Sequence, residues 1–249
     1  MEFVLAFLIA TAVGLTGVGA GTVTAPVLIL FFDVPPAIAV GTTLSFAAVI
    51  KLAVLPIYVR RNQVNYRILA LLCAGGIPGV FIGVRILSRF DTQQHERGIF
   101  LLLGLTILTV SVGTLYRSLR NRNAIVPESD RSRWLPPIAL LIGGEVGFSS
   151  AGVGALGSLA LLNLTLLTPA QVVGTDMVFG LFVSAVGSGL HVVSGHYDEG
   201  ILIKMVAGGV IGALLGATLS GVLPHRPLRF ALSVWMATLG AQLCWKGLF

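Results

Sequence analysis

Thirty consecutive residues, Phe3 to Phe32, carry no charge, and about 20 apolar residues are enough for one helix to cross a bilayer. Comparable runs fill the rest of the chain. Pro35–Tyr58 is interrupted only by Lys51, and Trp134–Thr175 only by Glu145. Ile68–Val84, Gly98–Tyr116, Met177–Tyr197, Met205–His225 and Phe230–Trp245 are free of Asp, Glu, Lys and Arg. Only 10% of the 249 residues are charged, against roughly 25% in an ordinary soluble domain. Too few charges remain to cover a water-facing surface. Disorder is excluded by the 55% hydrophobic content, and a disulfide scaffold by having only two cysteines, Cys73 and Cys244. The fold class expected is all-α, a polytopic membrane protein with about eight segments: 3–32, 35–59, 67–88, 97–116, 134–166, 169–194, 200–223 and 228–247. The acidic Glu2 and the length of the first run oppose a cleaved signal peptide, so 3–32 reads as the first membrane segment. Net charge is +6, an excess that in a membrane protein marks cytoplasmic loops and not nucleic-acid binding.

Shifted by 133 residues, the sequence matches itself without a gap. Gly14, Gly19 and Gly21 fall on Gly147, Gly152 and Gly154. Pro36-Ala37 falls on Pro169-Ala170, and Val40-Gly41-Thr42 on Val173-Gly174-Thr175. Gly75-Gly76, Gly79 and Gly83 fall on Gly208-Gly209, Gly212 and Gly216. Apolar matches would be cheap in such a chain, but glycine and proline matches at one offset are not. The expected organisation is a first repeat over 1–120, a basic cytoplasmic linker over 121–133 and a second repeat over 134–249. Duplicated halves that rock about a central site are a common design of secondary transporters. Whether the halves are parallel or inverted stays open at the level of sequence, because lysine and arginine divide ten to five either way. Both readings put the loop at 60–67 and the linker in the cytoplasm.

The first segment of each half is glycine-dense: Gly14, Gly17, Gly19 and Gly21 in one, Gly147, Gly152, Gly154 and Gly157 in the other. As one helix, 3–32 would be about 45 Å long, beyond a hydrocarbon core of about 30 Å. Each is therefore expected to break at its glycines, which is tolerated at membrane depth where the break lines a cavity. Freed backbone N–H groups there attract anions. The second segments bring Thr42, Thr43 and Thr175 about one and a half turns in from a proline. Lys51, Glu145 and Asp176 are intramembrane ionisable residues, functional candidates by default because a charge in hydrocarbon is costly. Gly17, Gly19, Gly21, Gly152, Gly154, Thr42, Thr43, Thr175 and Lys51 are the candidate substrate contacts, and Asp176 and Glu145 the candidate proton carriers. The bland alternatives are helix-packing glycines, threonines bonded to their own helix, and a structural pair of Lys51 with Asp176 or Glu145. The histidines show no metal-ligand spacing, and no catalytic triad, nucleophile elbow or Walker motif is present. No cofactor, no metal and no enzymatic activity are expected.

Gly14-Leu15-Thr16-Gly17-Val18-Gly19-Ala20-Gly21, then Pro26 and Ala39-Val40-Gly41-Thr42-Thr43, resembles the TauE/SafE family of bacterial membrane transporters. The second half repeats the pattern through Gly147–Gly157 and Val173-Gly174-Thr175-Asp176, and the resemblance covers nearly the whole chain. It implies a multi-pass permease or exporter of the bacterial inner membrane for a sulfur oxyanion or organosulfonate such as sulfite. The partners expected are a small anion, protons and the lipid bilayer, with no nucleic acid. A passive anion channel and a membrane-embedded enzyme or assembly factor are the alternative functions.

Overall fold

The computed structural model describes residues 2–16, 19–90, 96–119, 130–219 and 225–248. Among them there is no strand. Ten α-helices follow in order: α1 (Glu2–Thr16), α2 (Gly21–Phe31), α3 (Pro36–Arg60), α4 (Tyr66–Phe90), α5 (Glu96–Leu119), α6 (Leu135–Ser149), α7 (Leu156–Leu164), α8 (Pro169–Val193), α9 (Glu199–Leu219) and α10 (His225–Leu248). Five stretches within them are long and apolar enough to cross a membrane: Pro36–Arg60, Tyr66–Arg89, Arg97–Leu115, Pro169–Val193 and Glu199–Leu219. Large apolar side chains face outward, among them Leu141 at 73% exposure and Val193 at 89%. Such a surface would be a liability in water and suits lipid.

Local chemistry sets the helix ends. Pro36 and Pro169 each occupy the first turn of their helix, where the missing N–H costs nothing and the fixed φ is already helical. Thr168 and Gln171 close a capping box at the start of α8. The segments expected at 3–32 and 134–166 are each interrupted, between α1 and α2 and between α6 and α7. At the second interruption Ser150 (φ 59°), Gly152 (φ 91°) and Gly154 (φ 94°) turn the chain through left-handed backbone. Glycine enters that region without steric cost. Within the helices, hydroxyls bond back to a preceding turn, as from Ser45 to the Gly41 carbonyl at 2.9 Å and from Ser111 to that of Ile107 at 2.6 Å, so they enter apolar surroundings satisfied.

Glycine seams set the packing. On α9, Gly208 backs onto Phe3, Gly212 onto Phe7 and Gly216 onto Thr11, so α1 and α9 run parallel. On α4, Gly75 backs onto Pro136, Gly79 onto Leu140 and Gly83 onto Gly144, so α4 and α6 also run parallel. Small residues let two backbones approach in this way. At the centre α3 crosses α8 antiparallel, with Gly41 beside His191, Ser45 beside Ser188 and Lys51 beside Ser184. α5 and α10 pair antiparallel, with Gly104 on Cys244 and Gly247 on Leu101.

The helix directions follow from these contacts. The α9 start meets Thr42 and its Gly209 meets Phe46, so α9 is parallel to α3, and α1 with it. By the same reading α4 and α6 run with α8, because Asn65 meets Thr175 and Gly76 meets Phe179. Since α1 and α3 point the same way, α2 returns the chain between them. α7 makes the same return between α6 and α8.

Candidate substrate site

The two interruptions meet. A side chain added at Gly19 would run into the Val153 carbonyl, and one at Gly21 into the Ser150 carbonyl. The Ser150 hydroxyl donates across the contact to the Gly21 carbonyl at 3.3 Å. Only glycine allows backbone to touch backbone here. Beside the contact lies a cavity between the C-terminal half of α3 and the first turns of α8. Gly19 and Ala20 of the first interruption line it with Gly14 of α1, and Val153 and Gly154 of the second with Ser158 of α7. Ile50, Lys51 and Val54 of α3, Val173, Asp176 and Met177 of α8, together with Val13 and Ala213, complete the wall.

Among the described residues, two side chains carry formal charge at this cavity. Lys51 is 6% exposed, and its Nζ donates to the Ser184 hydroxyl at 3.3 Å. Asp176 is 3% exposed. Its Oδ2 accepts from the Ser158 hydroxyl at 2.8 Å, and its Oδ1 is buried with no hydrogen-bond partner. No ion pair joins Lys51 to Asp176 or to Glu145. An ammonium and a carboxylate buried at one cavity attract each other in low dielectric, and each keeps hydrogen-bonding capacity unused.

Four of the candidate residues thus come together: Gly19, Lys51, Gly154 and Asp176. The others are placed elsewhere. The Thr42 hydroxyl accepts from the Asp198 N–H at 2.9 Å, and that of Thr175 from the Asn65 N–H at 3.0 Å, so both tie down inter-helix turns. Thr43 is buried, and its hydroxyl has no partner. Gly21 lies in the backbone contact described above, and Gly152 packs against the Glu145 carboxylate. Glu145 accepts from the Ser149 hydroxyl at 2.8 Å through Oε1, and its Oε2 is buried without a partner. Gly17 lies outside the described residues. Among those residues no group of three or more His, Cys, Asp or Glu side chains is gathered to hold a metal ion.

Residues 2–243 match the family described as Sulfite exporter TauE/SafE. The chain belongs to the TauE/SafE family. It is 30% identical over 239 residues to a probable membrane transporter protein, YjnA, of Bacillus subtilis (strain 168), covering 93% of this chain and 94% of that protein. It is 26% identical to a second protein of that description, YunE, across 99% of this chain and 97% of the relative. No solved structure matches it. The protein is a multi-pass integral membrane protein and a membrane transporter.

Sequence reasoning missed two residues of the site in this TauE/SafE chain. Ser158, which donates to Asp176, was not singled out. Gly180 was not singled out, yet a Cβ there would lie 2.5 Å from the Lys51 Nζ and 2.5 Å from Val153 Cγ1. The internal offset of 133 residues held a signal for both. Gly180 corresponds to Ala47 and Ser158 to Ala25, two of the places where the halves differ.

Proposed function

We propose that this transporter moves a small anion, a sulfur oxyanion or organosulfonate such as sulfite, through the cavity between the two interruptions in a bacterial inner membrane. The observation that carries the reading is the meeting of Lys51, Asp176 and the two glycine breaks around one cavity. Broken helices paired across two halves are the usual pointer to a transport site. Lys51, with the Gly19 and Gly154 backbone, receives the anion. Asp176 at the site, or Glu145 behind Gly152, carries the coupled proton. Thr42, Thr43 and Thr175 shape the helices that hold these groups.

The architecture we propose is two repeats of four segments, 1–120 and 134–249, joined by the linker 121–133 and inverted with respect to each other. Several observations support it. The bounds of α1 and α6, and those of α3 and α8, differ by the internal offset of 133 at both ends. The pairing of α1 with α9 has its counterpart in that of α6 with α4. Thr42 with Asp198 corresponds to Thr175 with Asn65. Lys51 and Ser184, which touch, are themselves counterparts, so the pseudo-twofold axis runs beside the site. Counterparts α3 and α8 point in opposite directions, which favours inverted over parallel repeats. The turn after α3 and the linker then share a side with ten of the fifteen Lys and Arg other than Lys51, which makes that side cytoplasmic.

Reconstituted protein tests the reading. Sulfite, sulfate, a small sulfonate and a carboxylate are offered to proteoliposomes with and without a pH gradient. Movement of one anion that responds to the gradient is expected. Movement indifferent to the gradient favours the passive channel, and no movement of any of them removes the anion assignment.

A further inference from the structure

Asp176 sits oddly in a site for an anion. It lines the same cavity as Lys51, yet the two form no ion pair, and its Oδ1 is buried with no hydrogen-bond partner. The other oxygen, Oδ2, accepts from Ser158 at 2.8 Å, and Gly157 packs against Oδ1, where any Cβ would collide with it. In its ionised form, the form free of the coupled proton, the group is held as an acceptor. Lys51 gives one hydrogen to Ser184, which leaves two of its three donors. Around this pair the wall is apolar: Val13, Ile50, Val54 and Val153 offer nothing polar from their side chains. In the first half the counterparts of Asp176 and Ser158 are Thr43 and Ala25, so the acceptor belongs to one half alone.

From this juxtaposition, and resting on the anion reading above, we infer that the occupant is a small monoanion that also carries a hydrogen-bond donor, its anionic end on Lys51 and its donor hydrogen on the Asp176 carboxylate. An anion with acceptors only would set its lone pairs against a buried carboxylate oxygen that stays unpaired, and that arrangement is penalised. A site built to pair with a substrate hydroxyl rejects the analogue lacking it far more strongly than an apolar pocket rejects one of slightly different size. For sulfite, the inference selects the hydrogen form. For sulfonates, it selects those with a hydroxyl.

Two sulfonates of nearly equal size separate the cases, since both stay ionised at any working pH. 2-Hydroxyethanesulfonate and ethanesulfonate are compared as inhibitors of sulfite flux into proteoliposomes containing the full chain. The hydroxyl-bearing compound is expected to inhibit at concentrations at least roughly tenfold lower. In Asp176→Ala the ratio should collapse toward one. Equal potency in the unaltered protein overturns the inference and leaves the anion reading standing. Failure of both sulfonates to inhibit a measurable sulfite flux also overturns it. Absence of flux for every small anion, sulfite included, overturns the anion reading and this inference together. The wild-type comparison needs no variant to fold.

Discussion

At the scale of single residues, the site depends on what stands opposite Lys51. The side chain lies along α8 at Gly180, where any Cβ would be 2.5 Å from its Nζ and 3.1 Å from its Cε. Gly180→Ala is therefore expected to push the ammonium from its place at the cavity and lower anion flux about tenfold or more, since a displacement of about 1 Å in a positioned group can cost about 100-fold. Flux assays on folded protein check this, with a thermal unfolding curve beside them to show what the added methyl costs against Val153 Cγ1, also 2.5 Å away. Equal flux in the variant would show that Lys51 does not need its present position. Lys51 and Asp176 were legible from sequence because a charge in an apolar run is conspicuous. Thr42 and Thr175 were legible as polar, but not in their role. Their hydroxyls meet N–H groups of turns far along the chain, Asp198 and Asn65, and no local pattern announces such a partner. Ser158 escaped for the same reason, since its partner Asp176 is 18 residues away.

At the scale of elements, the glycines divide into two kinds. Those at 75–83 and 208–216 are seams along which α4 meets α6 and α9 meets α1. Those at 19–21 and 152–154 are points where backbone crosses backbone or turns left-handed. Sequence separated the two kinds on length: a charge-free run too long for one crossing has to break, and its glycines say where. It could not show which helix each seam faces, because that depends on contacts between distant parts of the chain. The seams carry a stability prediction. Gly79→Leu would place its side chain against the Leu140 carbonyl and the Gly144 nitrogen, an overpacking that typically costs about 1–3 kcal/mol. Gly113→Leu, with nothing within 4 Å of its Cβ, should be neutral. Thermal unfolding in one detergent compares them, and similar midpoints for the two variants would refute the assignment of α4–α6 as a close seam.

At the scale of the whole molecule, opposed helix directions are what the sequence left open. Charge counts gave ten to five for parallel and inverted halves alike, because Arg226 and Arg229 exchange sides with Lys204 and Lys246. Direction became readable only through packing, as in the antiparallel crossing of α3 and α8. The inverted reading puts the turn after α3 and the turn after α8 on opposite faces, whereas four full crossings per half would put both on one face. Asn62→Cys and Ser194→Cys, each in a background with Cys73 and Cys244 replaced by Ala, distinguish the two with an impermeant thiol reagent applied to sealed vesicles of known orientation. Labelling of one variant from each side is expected. Labelling of both from the same side would contradict the inverted halves.

The most direct test of the account as a whole is anion flux in Lys51→Gln, measured against the unaltered protein in proteoliposomes at matched protein content. Lys51 sits where α3 crosses α8, beside Ser184, and among the described residues is the lysine or arginine that lines the cavity. Flux is expected to fall at least about tenfold, the scale reached when the charged partner of a bound ion is removed, while the variant elutes and unfolds like the parent. Undiminished flux in a folded Lys51→Gln protein would contradict it.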